Sequence, residues 1–114
     1  MRLHREIGWG NAMRYLLTAD EIPAAEALRL GLVQEMTETG RQFGRALEIA
    51  ETISRQAPLG VQASLLSARR ARSDGDRAAI TRLLPDLAPI MKSDDAAEGI
   101  RSFVERREAR FKGR

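Results

Sequence analysis

The sequence predicts an all-α fold of five or six short helices with at most one brief strand. Three observations carry that expectation. Apolar residues recur at helical spacing over most of the chain. No segment shows the sustained polar–apolar alternation of a half-buried strand. Proline, glycine and aspartate punctuate the pattern where helices would start and stop. Composition agrees: of 114 residues, 43% are hydrophobic, 31% charged and only 4% aromatic. The core must therefore be mostly Leu, Ala, Ile and Val, which suits packed helices.

The elements follow in order. Ala12, Met13, Leu16 and Leu17 lie at helical spacing, which predicts a helix over Gly10 to Leu17. Thr18 to Glu21 reads as a turn. Pro23 needs no amide donor and suits the first turn of a second helix, Ala24 to Leu30. Gly31 stands just past its end, where a left-handed residue is commonly required. Leu32-Val33 reads as a short extended segment, and Thr37 to Gly40 as a polar turn. Phe43, Ala46, Leu47, Ile49, Ala50 and Ile53 predict a helix over Arg41 to Gln56. Glu51 and Arg55 are correctly ordered for an i,i+4 pair on it. Pro58 breaks or restarts the pattern. Val61, Leu65, Leu66 and Ala68 mark a helix over Leu59 to Arg72. Ser73-Asp74-Gly75-Asp76 separates it from the next, with Asp76 or Asp74 as cap. That helix should run to about Met91, and Pro85 and Pro89 predict a kink or a split near Leu84. Ser93 or Asp94 caps a last helix, with Asp95 and Glu98 in its first turn, a favourable sign at a helix start. Ile100, Phe103 and Val104 carry it to about Arg110.

Charge and residue usage exclude several classes of function. There is no cysteine, so disulfides, thiolate zinc sites and cysteine nucleophiles are all absent. This fits a reducing cytoplasm, the expected location. Apolar runs stay far below the ~18 residues of a membrane span, and Arg2, His4, Arg5 and Glu6 give no apolar signal-like stretch after Met1. The net charge of +3 and pI of about 10.2 come almost wholly from arginine; only Lys92 and Lys112 are lysines. Arginine suits phosphate recognition, and it also accumulates through coding bias. The charges are mixed in sign along the chain, which argues against a nucleic-acid partner.

Chemistry-bearing residues are few. His4 is the only histidine and has no metal-ligand spacing around it, so it reads as exposed or structural. Asp20-Glu21, Asp74-Asp76 and Asp94-Asp95 stand where capping explains them. Gly8-Trp9-Gly10 is too short to cradle a phosphate. The tail from Phe103 to Lys112 interleaves aromatic and basic residues. An aromatic face beside a guanidinium could hold an adenine and a phosphate; alternatively Phe103 is core and the arginines are a solvated face.

Three stretches in order resemble one known family. They are Ala12-Met13-Arg14-Tyr15-Leu16-Leu17-Thr18 followed by Glu26-Ala27 and Gly31-Leu32-Val33; the helix near Ala46 to Ile53 followed by Ala57-Pro58; and Asp94-Asp95, Glu98-Gly99 and Phe103-Val104-Glu105-Arg106-Arg107 leading to Phe111-Lys112-Gly113-Arg114. Their order and spacing resemble the C-terminal part of the crotonase superfamily, the enoyl-CoA hydratases and isomerases. Ala19 stands where the family usually has glycine.

The resemblance implies a parent protein acting on acyl-CoA thioesters without a further cofactor. It places the oxyanion hole and the catalytic glutamates in an N-terminal spiral core outside the matching stretch. This chain alone is then expected to be inactive, with no catalytic and no metal-binding residue of its own. Glu26 and Glu98 match other family positions. Phe103 and Arg106 match positions near the adenine end of CoA, with arginine where a lysine is usual. Residues 1–36 would form the junction with the spiral core and 37–114 a helical assembly region within one C-terminal domain. Helix packing into a homo-oligomer, dimer or trimer, is expected, with no nucleic-acid or membrane partner. The competing expectation is a stand-alone helical self-association module without catalysis.

Overall fold

A computed structural model describes residues 2–114. Seven helices, and no strand among the described residues, make up the fold: α1 (Leu3–Ile7), α2 (Trp9–Thr18), α3 (Ala24–Arg29), α4 (Gln42–Ser54), α5 (Pro58–Asp74), α6 (Asp76–Ile90) and α7 (Asp94–Glu105). The all-α expectation holds. The extra helix is α1, five residues too short to display a periodic pattern. The chain divides into two compact units, Met1–Ala46 and Leu47–Arg114, with the division falling inside α4.

In the first unit, α1 packs on α2 and buries Ile7, Ala12 and Tyr15. Leu3, Met13, Ile22, Leu30 and Leu32 cover that small cluster. α2 ends at Ala19, which adopts the left-handed conformation at φ 58° while its N–H donates to the Tyr15 carbonyl at 3.0 Å. α3 closes with two reversed hydrogen bonds. Leu32 N–H donates to the Ala27 carbonyl at 2.8 Å, and Gly31 N–H to that of Leu28 at 3.0 Å. This is the glycine-dependent helix end that Gly31, at φ 76°, makes possible. The extended segment expected at Leu32-Val33 does not form. Both residues are drawn back onto the end of α3, since the Val33 N–H also reaches the Ala27 carbonyl.

In the second unit, Pro58 begins α5 at a position needing no donor. α5 and α6 pack as a helical hairpin, and Asp86 accepts from Arg70 at 2.5 Å and Arg82 at 2.8 Å. The break expected over Ser73 to Asp76 shrinks to Gly75 alone, which takes the N-cap position of α6. Neither Asp74 nor Asp76 caps it through its side chain. The helix is not split at Leu84 but runs unbroken to Ile90, with Pro85 and Pro89 inside it. Ser93 caps α7 as expected, its Oγ accepting from the Ala96 N–H at 3.1 Å. α7 stops at Glu105, well short of the expected Arg110, because Arg106 turns left-handed.

Burial in the second unit is sparse. Ala79 is its one buried hydrophobic residue among those described; its buried polar residues are Asp95 and Ser102. Large apolar side chains stand open, among them Ile80, Leu84, Phe103 and Val104.

Candidate functional site

The sequence-predicted binding residues, Phe103 and Arg106, lie at the end of α7. Ile100, Phe103 and Val104 occur at i, i+3 and i+4 and form one apolar stripe, with Phe103 85% exposed. The opposite face carries Asp95, Glu98 and Ser102. Arg106 closes the helix at φ 52° and ψ 43°. Its N–H donates to the Phe103 carbonyl at 3.3 Å, and the next N–H, from Arg107, reaches the Ser102 carbonyl at 3.1 Å. The structure therefore brings Phe103 and Arg106 to the same helix end. The Arg106 side chain is exposed and makes no ion pair among the described residues.

Beyond the corner the tail doubles back along the polar face. The Arg107 guanidinium grips both Glu98 oxygens, at 2.5 and 2.9 Å, and also pairs with Glu105. Arg110 N–H donates to Glu98 Oε1 at 3.0 Å. These donors favour the ionised carboxylate, the Arg107 bond most and the Arg110 amide next, and they pull the Glu98 pKa down to about 2. The same pairing with Glu98, then that with Glu105, holds Arg107 more firmly protonated than a free arginine. Phe111 lies against Gly99, its ring 3.8 Å from where a Cβ would stand. Between α7 and the tail, Asp94, Glu98, Arg101, Arg110 and Lys112 line a small polar groove of about 210 Å³.

The remaining candidates resolve as structural. Glu26 accepts two bonds from Arg29, at 2.6 and 2.5 Å, and one from the Tyr15 hydroxyl at 3.3 Å. The Arg29 bond is the main reason its pKa is lowered. His4 is half-buried and meets Trp9 edge-on with ring centroids 5.9 Å apart. No group of acidic or histidine side chains among the described residues is arranged to hold a metal, and no helix there is long and apolar enough to cross a membrane. Sequence reading missed the role of Asp95 and Glu98 as acceptors for the tail. The one signal available was a pair of acidic residues at i, i+3 followed by a basic tail, which capping explained equally well.

Comparison with known proteins bears on the family of the chain. An enoyl-CoA hydratase of Mycobacterium tuberculosis is 38% identical over 114 residues, covering 100% of this chain and 43% of the relative. The 2,3-dehydroadipyl-CoA hydratase of Escherichia coli is 28% identical over 113 residues, 99% of this chain and 44% of that protein. Among solved structures, a probable enoyl-CoA hydratase/isomerase from Mycobacterium abscessus superposes with a TM-score of 0.93 at 49% identity, covering all of this chain and 44% of that one. An enoyl-CoA hydratase from Bacillus anthracis gives 0.92 at 27% identity, with the same coverage. The chain thus spans less than half the length of the relatives it matches. The sequence model of the enoyl-CoA hydratase/isomerase family matches residues 1–114, and the chain belongs to that family.

Proposed function

We propose that this chain is the C-terminal helical portion of an enoyl-CoA hydratase/isomerase-like protein that acts on acyl-CoA thioesters. Its part is assembly and CoA contact rather than bond-making. The oxyanion hole and the catalytic glutamates belong to the portion of the family that this chain does not match. Residues 1–36 join that portion, and 37–114 pack against it and against neighbouring subunits.

The observation that carries this reading is the unburied apolar surface. The chain exposes 9,420 Å². Two separate compact bodies of these sizes would expose only about 7,500 Å² together. Large apolar side chains such as Leu17, Phe43, Leu84 and Phe103 stand exposed. Faces of this kind mark contact with other protein. At the end of α7, Phe103 offers a flat apolar face and Arg106 an unpaired guanidinium. That pairing suits the adenine and a phosphate of CoA.

The test is a hydratase assay with crotonyl-CoA on the purified chain. No turnover above buffer is expected, and robust turnover refutes the reading. The same apolar faces favour a second reading, a stand-alone helical self-association module. The two separate on CoA binding. Saturable binding that weakens in Phe103→Ala and Arg106→Ala supports the first; self-association without CoA binding supports the second.

A further inference from the structure

Asp95 is the only buried charged residue among those described, at 3% exposure, and it has no side-chain cation as partner. Backbone amides of the tail fill its carboxylate instead. Lys112 N–H donates to Oδ1 at 2.6 Å and Gly113 N–H to Oδ2 at 2.7 Å. In return, the Asp95 N–H donates to the Arg114 backbone oxygen at 3.1 Å. One turn along, Glu98 takes the Arg107 guanidinium and the Arg110 N–H. A buried carboxylate is costly unless its oxygens are satisfied, and here the tail satisfies them. The start of α7 adds a favourable positive field. Gly113, at φ 75°, sets the tail's register, with Pro58 3.6 Å from where a Cβ would stand.

Local sequence does not explain why α7 stops at Glu105. Glu105, Arg106, Arg107, Glu108, Ala109 and Arg110 are good helix formers with no proline or glycine among them, and they predict a helix to about Arg110. Arg106 instead sits where a non-glycine residue is disfavoured. The reversal gives up helical hydrogen bonds and gains those of the tail to Asp95 and Glu98.

We propose that Asp95 and Glu98 form a two-carboxylate latch that selects between two states of the tail. In the latched state, residues 107–114 strap the polar face of α7 and hold the Arg106 corner left-handed. In the released state, α7 extends by about one turn through Arg110, carrying Arg106 onto the helix and out of its corner. The functional consequence rests on the CoA reading above: Asp95 and Glu98 would be positioning residues that set where Arg106 stands beside Phe103.

The test uses the full chain with Asp95→Asn, Glu98→Gln and, on the tail side, Gly113→Ala, which leaves α7 and its carboxylates untouched. Two readouts are taken: trypsin cleavage after Arg110 and Lys112, and backbone chemical shifts of residues 106–110. The latch predicts at least tenfold faster tail cleavage in Asp95→Asn and a smaller increase in Gly113→Ala. It predicts helical shifts for residues 106–110, with cleavage after Arg69 in α5 unchanged. Arg106→Gly, which removes the disfavour of the corner, should restore part of the protection in the Asp95→Asn background. A tail that stays protected in all three variants overturns the latch, as does release without helical shifts at 106–110. CoA binding is measured in parallel. A wild-type chain that binds no CoA overturns the proposed contact, while tail protection still decides the latch. CoA binding unchanged in a released variant overturns the positioning role.

Discussion

Ala19 offers a clean test of whether backbone conformation is understood at the end of α2. Its φ of 58° is a left-handed conformation that a β-carbon disfavours. The cost of that conformation is roughly 1–2 kcal/mol. Replacing Ala19 by glycine removes it and gives back about 0.4–1 kcal/mol through the greater freedom of glycine in the unfolded chain. Nothing else changes: Ala19 is exposed, and its N–H bond to the Tyr15 carbonyl is a backbone bond that glycine keeps. The net expectation is a stabilisation of about 0.5–1 kcal/mol, a rise in Tm of roughly 2–5 °C for a chain of this size. The assay is thermal unfolding by far-UV circular dichroism at one fixed protein concentration, because self-association would otherwise shift Tm. Ala19→Val, β-branched at the same backbone angle, should lower Tm. If Ala19→Gly lowers Tm, or if both variants shift it in the same direction, the left-handed account of this helix end is wrong.

Three further outcomes follow from the same geometry. Ser93→Ala removes the side-chain acceptor from the Ala96 N–H and should cost about 1 kcal/mol, measurable as a shift in urea midpoint at constant m-value. Glu98 is depressed in the folded chain from 4.5 to about 2. Its contribution is therefore complete above the unfolded value and is lost as pH falls from about 4.5 toward 2. Acid titration of Glu98→Gln should lack that component, and an identical acid profile in the variant would count against the Arg107 clamp. Leu84→Asp places a charge on an open face of α6 where the leucine is 74% exposed. On the proposed self-association, it should weaken that association at least tenfold in sedimentation velocity with helicity retained.

Legibility from sequence followed the range of the forces involved. α3 and its end at Gly31 were readable because proline and glycine act locally. The cap at Ser93 was readable for the same reason. α1 was not, since five residues hold little more than one helical turn. The cap of α6 was misread because aspartate and glycine compete for that position; with Gly75 at the N-cap, no side-chain cap forms. The end of α7 was misread most instructively. Its local signals favour helix through Arg110, and what stops it is a set of contacts from residues nine to eighteen positions apart. Phe103 and Arg106 were placed by family resemblance, whereas the carboxylates that hold the tail beside them came only from the fold.

The exposed surface explains how such a chain can carry good helices and so little core. The excess over two compact bodies is about 1,900 Å², more than the ~1,600 Å² that a standard interface removes from both partners together. If half of that excess is apolar, covering it is worth on the order of 20 kcal/mol before the costs of association. On the assembly reading, burial against other protein would add to the burial that Ala79 and its neighbours supply within the second unit. Helices whose apolar stripes were legible at once in the sequence, such as Ile100, Phe103 and Val104 on α7, are the ones left open in the structure. An apolar stripe says that a face will be covered, and it does not say by which chain.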